Sequence, residues 1–197
     1  MADDMPAGWP GLRAEEAAHR DLAHLHDLPR AAHLVFRGDR AAADAAGDAF
    51  GVTLPGAACR AERNGERAAL WLGPDEWLLV APGEPADAIE IRIGDALGER
   101  PHALVGVSHR HLSIALEGAR AADMLNAGCP LDLGDAFPVG MCTRTIFGKA
   151  QIILWRTGPQ NFTIIVWRSF APYVRDLLIE ARTRLWPAAL AATEYRP

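Results

Sequence analysis

The second half of this chain repeats its first at an offset of 80 to 85 residues. Gly38, Arg40, Ala41 and Ala42 recur as Gly118, Arg120, Ala121 and Ala122. Pro55, Cys59 and Gly65 recur, with their spacing unchanged, as Pro138, Cys142 and Gly148. Trp71, Gly73 and Pro74 recur as Trp155, Gly158 and Pro159, and each set leads through an aromatic residue (Trp77, Phe162) into an apolar run. The cysteine pair weighs most, because the chain holds only 3 cysteines. Self-similarity of this length means one supersecondary unit used twice.

Each half carries the signals of the same unit. In the first, Leu34 to Arg37 is a short apolar strand ended by Gly38, followed by an alanine-rich helix from Arg40 to Phe50. Gly51 suits the left-handed residue that stops such a helix. Two strands, Ala68 to Leu72 and Trp77 to Ala81, flank the turn Gly73-Pro74-Asp75-Glu76 and predict a hairpin. A helix from Ala86 to Leu97 aligns Ile89, Ile93 and Leu97, and Ala103 to Val107 is a further strand. The order β-α-β-β-α-β is the split βαβ plait. The second half opens on a strand with Leu112, Ile114 and Leu116, then a helix with Ala121, Met124 and Leu125 inward and Gly128 at its end. Cys142 to Trp155 and Phe162 to Trp167 predict one long hairpin. In the last helix Ser169 is placed to cap, Pro172 suits the first turn, and Tyr173, Val174, Leu177, Leu178, Ala181 and Leu185 form one stripe. No fourth strand is evident for this plait.

Apolar residues occupy odd positions at Ala103, Val105 and Val107 and even ones at Leu112, Ile114 and Leu116. A change of parity requires a break, which places the joint at Ser108-His109-Arg110. The expected fold is therefore α+β, two pseudo-repeated split βαβ (ferredoxin-like) plaits. Residues 1–28 read as an N-terminal helical extension, 29–108 as the first repeat, and 109–197 as the second repeat with its C-terminal helix and tail.

Half of the 197 residues are hydrophobic, enough for a sizeable core. The net charge is −5, and the 20 basic residues, of which only Lys149 is lysine, are scattered singly. That distribution argues against nucleic acid and anionic membranes as partners. The start MADDMPAGWP lacks the basic and apolar regions of a signal peptide, and three cysteines cannot all pair. A cytoplasmic protein is expected.

The chemically suggestive residues do not assemble into a centre. His24 and His26, and His109 and His111, are His-x-His pairs whose members share a face on a strand, but neither has a third ligand at recognisable spacing. Packing or solvent-facing roles fit both; the rival is a metal-binding regulator. Cys129 lies between Gly128 and Pro130 after a helix C-terminus, where the dipole does not favour a thiolate. Cys59 and Cys142 are equivalent framework positions. Trp71, Trp77, Trp155 and Trp167 lie on strands, as core residues or partly exposed partner contacts. Asp75, Glu76 and Asp132 are the acids available near turns, with no paired-carboxylate arrangement among them. The chain offers no Gly-rich phosphate loop and no nucleophile elbow. The expected site set is empty: no catalytic, cofactor-binding or metal-binding residue.

The segments WLGPDEWLLV, VGVSHRHLSIALEG, GCPLDL, FPVG, TRTIFGKA and FTIIVWRSFAPYVRDLLIEA, in that order, resemble the gamma subunit of heterotetrameric bacterial sarcosine oxidase. The resemblance spans about residues 34–185 and carries none of the first 30. It implies a fold like the folate-binding domain of the glycine-cleavage aminomethyltransferase, and partners in alpha, beta and delta subunits. It also implies FAD, FMN and NAD on the larger chains and zinc on delta, with no cofactor in this chain. Such complexes oxidatively demethylate sarcosine to glycine, H2O2 and a one-carbon unit passed to tetrahydrofolate. The role implied here is structural, for assembly; the alternative is a stand-alone folate-dependent aminomethyltransferase-like protein, which would need a carboxylate beside the pterin.

Overall fold

The computed structural model describes residues 22–185. Strand β1 is His24–Asp27 and β2 is Ala31–Gly38, followed by helix α1, Arg40–Phe50. Asp39 caps α1 by accepting the Ala42 N–H at 2.8 Å, and Gly51 ends it in the left-handed region at φ 82°, as expected. Strands β3 (Ala61–Asn64), β4 (Arg67–Gly73) and β5 (Glu76–Pro82), helix α2 (Ala86–Leu97) and strand β6 (His102–Gly106) complete the first half. The second half runs β7 (His111–Glu117), α3 (Ala121–Asn126), β8 (Cys142–Phe147), β9 (Ala150–Gly158), β10 (Asn161–Trp167) and α4 (Ala171–Leu185).

The two antiparallel sheets share one strand order. The first is β3-β4-β5-β2-β6 and the second, read the same way, is β8-β9-β10-β7-β1. Position by position, β6 in one sheet corresponds to β1 in the other. The strand that seemed missing from the second plait is thus supplied by the segment ahead of the first.

Here the expectation of a helical extension is corrected. His24–Asp27 is a strand, antiparallel to β7, with Leu25 opposite Leu116 and Asp27 opposite Ile114. The rest of that expected extension, residues 1–21, lies outside the described residues, as does the tail after 185. Physically, β7 would otherwise present an open edge of unpaired amides and carbonyls. The segment is anchored at both ends: Arg120 N–H donates to the Leu22 carbonyl at 2.9 Å, Leu28 N–H donates to Ser113 at 2.9 Å, and Asp27 pairs with Arg175 of α4. Gly118 makes room for it. A Cβ there would lie 2.5 Å from the Leu22 carbonyl oxygen, and its φ is +130°.

Two further expectations change. Cys142 to Trp155 is two strands, because Gly148-Lys149 turns the chain and pairs Phe147 with Ala150. On α4 the buried face is Ala171, Val174, Leu178, Ala181 and Arg182, while Tyr173 and Leu185 of the expected stripe stay exposed. Ser169 falls inside a short 3-10 turn, Arg168–Phe170, that leads into the helix. The break in parity holds: β6 stops at Gly106 and β7 starts at His111.

Alternation along the strands sends side chains to two different cores. Leu34, Phe36, Ala69, Trp77 and Leu79 pack under α1 and α2 with Ile89, Ile93 and Leu97. Ile114, Leu116, Leu154, Phe162 and Ile164 pack under α3 and α4 with Met124, Val174 and Leu178. A third core, Ala68, Leu70, Leu78, Val107, Cys142, Ile153 and Ile165, joins the two sheets face to face. The layers run helices, sheet, sheet, helices.

Candidate functional site

Some of the residues singled out from the sequence, Cys59, Cys142, Glu76 and the joint at residues 108–111, lie where the two repeats meet. His33 and Ser113 are 80 residues apart, the same separation as Gly38 and Gly118, so they are equivalent in the repeat. They touch: His33 Nε2 lies 3.2 Å from Ser113 Oγ. Cys59 and Cys142 touch as well, with Cys142 N–H donating to the Cys59 carbonyl at 3.0 Å. Contact between equivalent positions is what a pseudo-twofold axis through the interface produces.

The cysteines are built into this seam. The Cys142 thiol is buried and donates to the Arg60 carbonyl at 3.3 Å. Burial pushes its pKa up to about 12, so it stays protonated and is a poor nucleophile. Cys59 is the one non-glycine residue with positive φ among those described, at 57°. Cys129 is buried against the Thr145 hydroxyl.

The joint is tied to His33, a residue the sequence reading passed over. Val107 N–H donates to the His33 carbonyl at 2.7 Å, and His33 N–H donates to Ser108 Oγ at 3.0 Å. The His111 ring meets the His33 ring edge-on at 5.4 Å. Burial, aided by His111, lowers the His33 pKa to about 4; burial and the charges of Arg110, Arg144 and His109 do the same for His111. Both rings are neutral at pH 7. His24 and His26 stack on each other at 5.0 Å. Among the described residues no group of three or more His, Cys, Asp or Glu is arranged to hold a metal. His33 had a legible signal, a polar ring within the apolar run AAHLVF, but only pairing shows its partner.

The candidate acids are each engaged. Asp75 pairs with Arg37 at 2.7 Å. Glu76 accepts both guanidinium ends of Arg144, which hold its carboxyl below the usual carboxylate range. Asp132 accepts the Gly134 N–H at 2.9 Å, closing its own turn. Of the tryptophans, Trp77 is core and donates to the Pro55 carbonyl at 2.9 Å, whereas Trp167 is exposed. Trp167 borders a cleft of about 330 Å³ between the sheets, walled by Val35, Leu72, Val107, Ile153 and Ile165. No helix among the described residues is long and apolar enough to cross a membrane.

Two plaits joined sheet to sheet define the fold class of the aminomethyltransferases. The structure is similar to glycine cleavage system aminomethyltransferase T from Bartonella henselae, with a TM-score of 0.63 over 89% of this chain and 50% of that one at 19% identity, a likeness of fold alone. It is more similar to a chain of heterotetrameric sarcosine oxidase from Corynebacterium sp. U-96, with a TM-score of 0.79, 31% identity, and coverage of 87% of this chain and 91% of that one. The family model of the sarcosine oxidase gamma subunit matches residues 36–184, and the chain belongs to that family. The gamma subunit of Corynebacterium sp. (strain U-96) is 36% identical over 127 residues, 63% of this chain and 60% of that relative. That of an Arthrobacter species is 35% identical over 117 residues, 59% of this chain and 57% of that relative. The matched region spans less than two thirds of these relatives' length.

Proposed function

We propose that this chain is a non-catalytic gamma subunit of a heterotetrameric sarcosine oxidase complex, and that its own role is assembly. The observation that carries the reading is the family match over residues 36–184, joined to the likeness to a chain of a heterotetrameric sarcosine oxidase. The chemistry of the chain agrees with it. Its cysteines, its joint histidines and its turn acids make contacts within the fold, and its exposed surface includes eight large apolar or aromatic side chains among the described residues. In this reading the partners are the alpha, beta and delta subunits, which carry FAD, FMN, NAD and zinc, and the complex is cytoplasmic. The complex demethylates sarcosine oxidatively to glycine and H2O2 and hands the one-carbon unit to tetrahydrofolate; those bound groups supply the redox and transfer chemistry, while this chain positions subunits.

The test is co-expression of the four chains with and without this one. Recovery of the chain in fixed ratio with the others, and loss of complex yield when it is omitted, are expected, because obligate interfaces make stability depend on partner concentration. A well-behaved monomer that ignores the other chains and binds tetrahydrofolate at micromolar concentration would overturn the reading.

A further inference from the structure

Most of the molecule's conspicuous groups are satisfied internally, but one surface is not. Eight large apolar side chains are exposed among the described residues; one of them, Trp167, lines the cleft, and three more neighbour residues that line it. Trp167 is 43% exposed and Phe170 41%, their rings 6.5 Å apart. Val105, 54% exposed, lies beside Val35 in the β6–β2 pairing, and Ile146, 48% exposed, lies beside Gln151 in β8–β9. Val35 and Gln151 both line the cleft. Exposed apolar side chains therefore flank the opening on both sheets, with the polar Glu76, Arg144 and Gln151 between them.

The same surface is basic in a chain whose net charge is −5. The Arg110 guanidinium lies over the Trp167 ring at 4.8 Å, and Arg168 Nε donates to the His109 carbonyl at 3.3 Å. Neither forms an ion pair among the described residues. Arg144 stands at the cleft wall, already paired with Glu76. Tryptophan and arginine at the centre of an apolar patch are the residue types that dominate binding energy at protein interfaces.

We infer that this cleft and its rim dock a segment of another subunit, one that inserts a bulky apolar side chain between the sheets and presents carboxylates to Arg110 and Arg168. The inference rests on the subunit reading above and assigns that reading a surface. A second copy of this chain is a poor occupant, since a twofold contact through the patch would set Arg110 and Arg168 against their own equivalents. A small ligand would fill the cleft yet leave Val105, Ile146 and Phe170 uncovered.

The experiment uses the full chain co-expressed with the other chains of its complex. Trp167→Glu and Arg110→Glu are compared with Ile91→Glu, a residue 66% exposed on α2 and remote from the cleft in sequence. The first two are expected to lower the share of chain recovered in the complex by about tenfold or more, and Ile91→Glu to leave it unchanged. All three sites are exposed, so melting temperatures of the isolated variants should stay near that of the unaltered chain. Oxidative footprinting of the unaltered complex should show Trp167 protected relative to the free chain. Full recovery of both cleft variants, with Trp167 equally labelled in both states, would overturn the inference. An isolated chain that dimerises, and is made monomeric by Trp167→Glu, would overturn it in favour of a second copy. If the unaltered chain itself fails to copurify, the subunit reading falls instead.

Discussion

The two plaits share strand order, helix placement and turn type, yet they are closed in different ways. The first is built from one continuous run of chain, with β6 following α2 and pairing with β2. The second takes its equivalent strand, β1, from the segment ahead of the first plait. The duplicated unit is thus permuted in its second use. A consequence is that the start of the described chain and its last helix meet in one plait, through the Asp27–Arg175 pair. The lesson is that a fold repeat and a sequence repeat need not share their boundaries.

Removing residues 1–28 breaks this comparison most severely. It strips β1 from β7 and should cost on the order of 5 kcal/mol, a large share of a small domain's stability. Urea unfolding followed by far-UV circular dichroism would read it, and an unchanged midpoint would show that β1 is dispensable. The glycine pair Gly118 and Gly38 sharpens the same point. Gly118→Ala forces a Cβ onto backbone at positive φ and should destabilise by about 3 kcal/mol. Its equivalent Gly38→Ala meets only side chains, at 3.0 Å, and should cost about 1 kcal/mol. Equal costs at the two positions would contradict the asymmetry.

The seam between the plaits is pH-sensitive. The His33 pKa is lowered to about 4 from 6.5, so the unfolded chain takes up a proton that the folded chain refuses. Stability is complete above about pH 6.5 and declines as pH falls towards 4, by on the order of 3 kcal/mol for this almost fully buried ring. Thermal melts between pH 4 and pH 7 should show the slope, and His33→Phe should reduce it, the remainder coming from His111, whose pKa is lowered to about 4 in the same seam. Trp77 and Phe162 are equivalent core positions that differ by one donor, the indole N–H bonded to the Pro55 carbonyl. Trp77→Phe, the second plait's own choice, should cost about 1–2 kcal/mol by leaving that carbonyl unpaired. The smallest effect is expected at Cys59, where Cys59→Gly relieves a positive φ and should stabilise by about 0.5 kcal/mol, measured by chemical denaturation.

Much of the framework is legible in the sequence because its signals are local. The helices 40–50 and 86–97 announce themselves through alanine content, apolar spacing and terminal glycines, and both Gly-Pro turns through their dipeptides. What escapes is non-local or weakly marked. HLHD has no apolar alternation, and only its pairing with β7 makes it a strand. AERN, strand β3, is a polar edge whose register depends on β4. The residues 142–155 look like one strand because apolar character resumes directly after Gly148-Lys149. Val105 reads as core by alternation, yet it faces the open side of the inter-sheet cleft, and burial on that face depends on where the second sheet ends. Three polar residues with chemical potential, His33, Cys142 and Glu76, make contacts between the repeats that no local pattern announces.

Native mass spectrometry of the assembled complex tests the assembly role most directly. The expected spectrum shows this chain once in a four-chain particle with the alpha, beta and delta subunits, and collision-induced release of it as an intact folded subunit. An oxidase particle of full activity that lacks this chain, with the chain itself found free as a monomer, would contradict it.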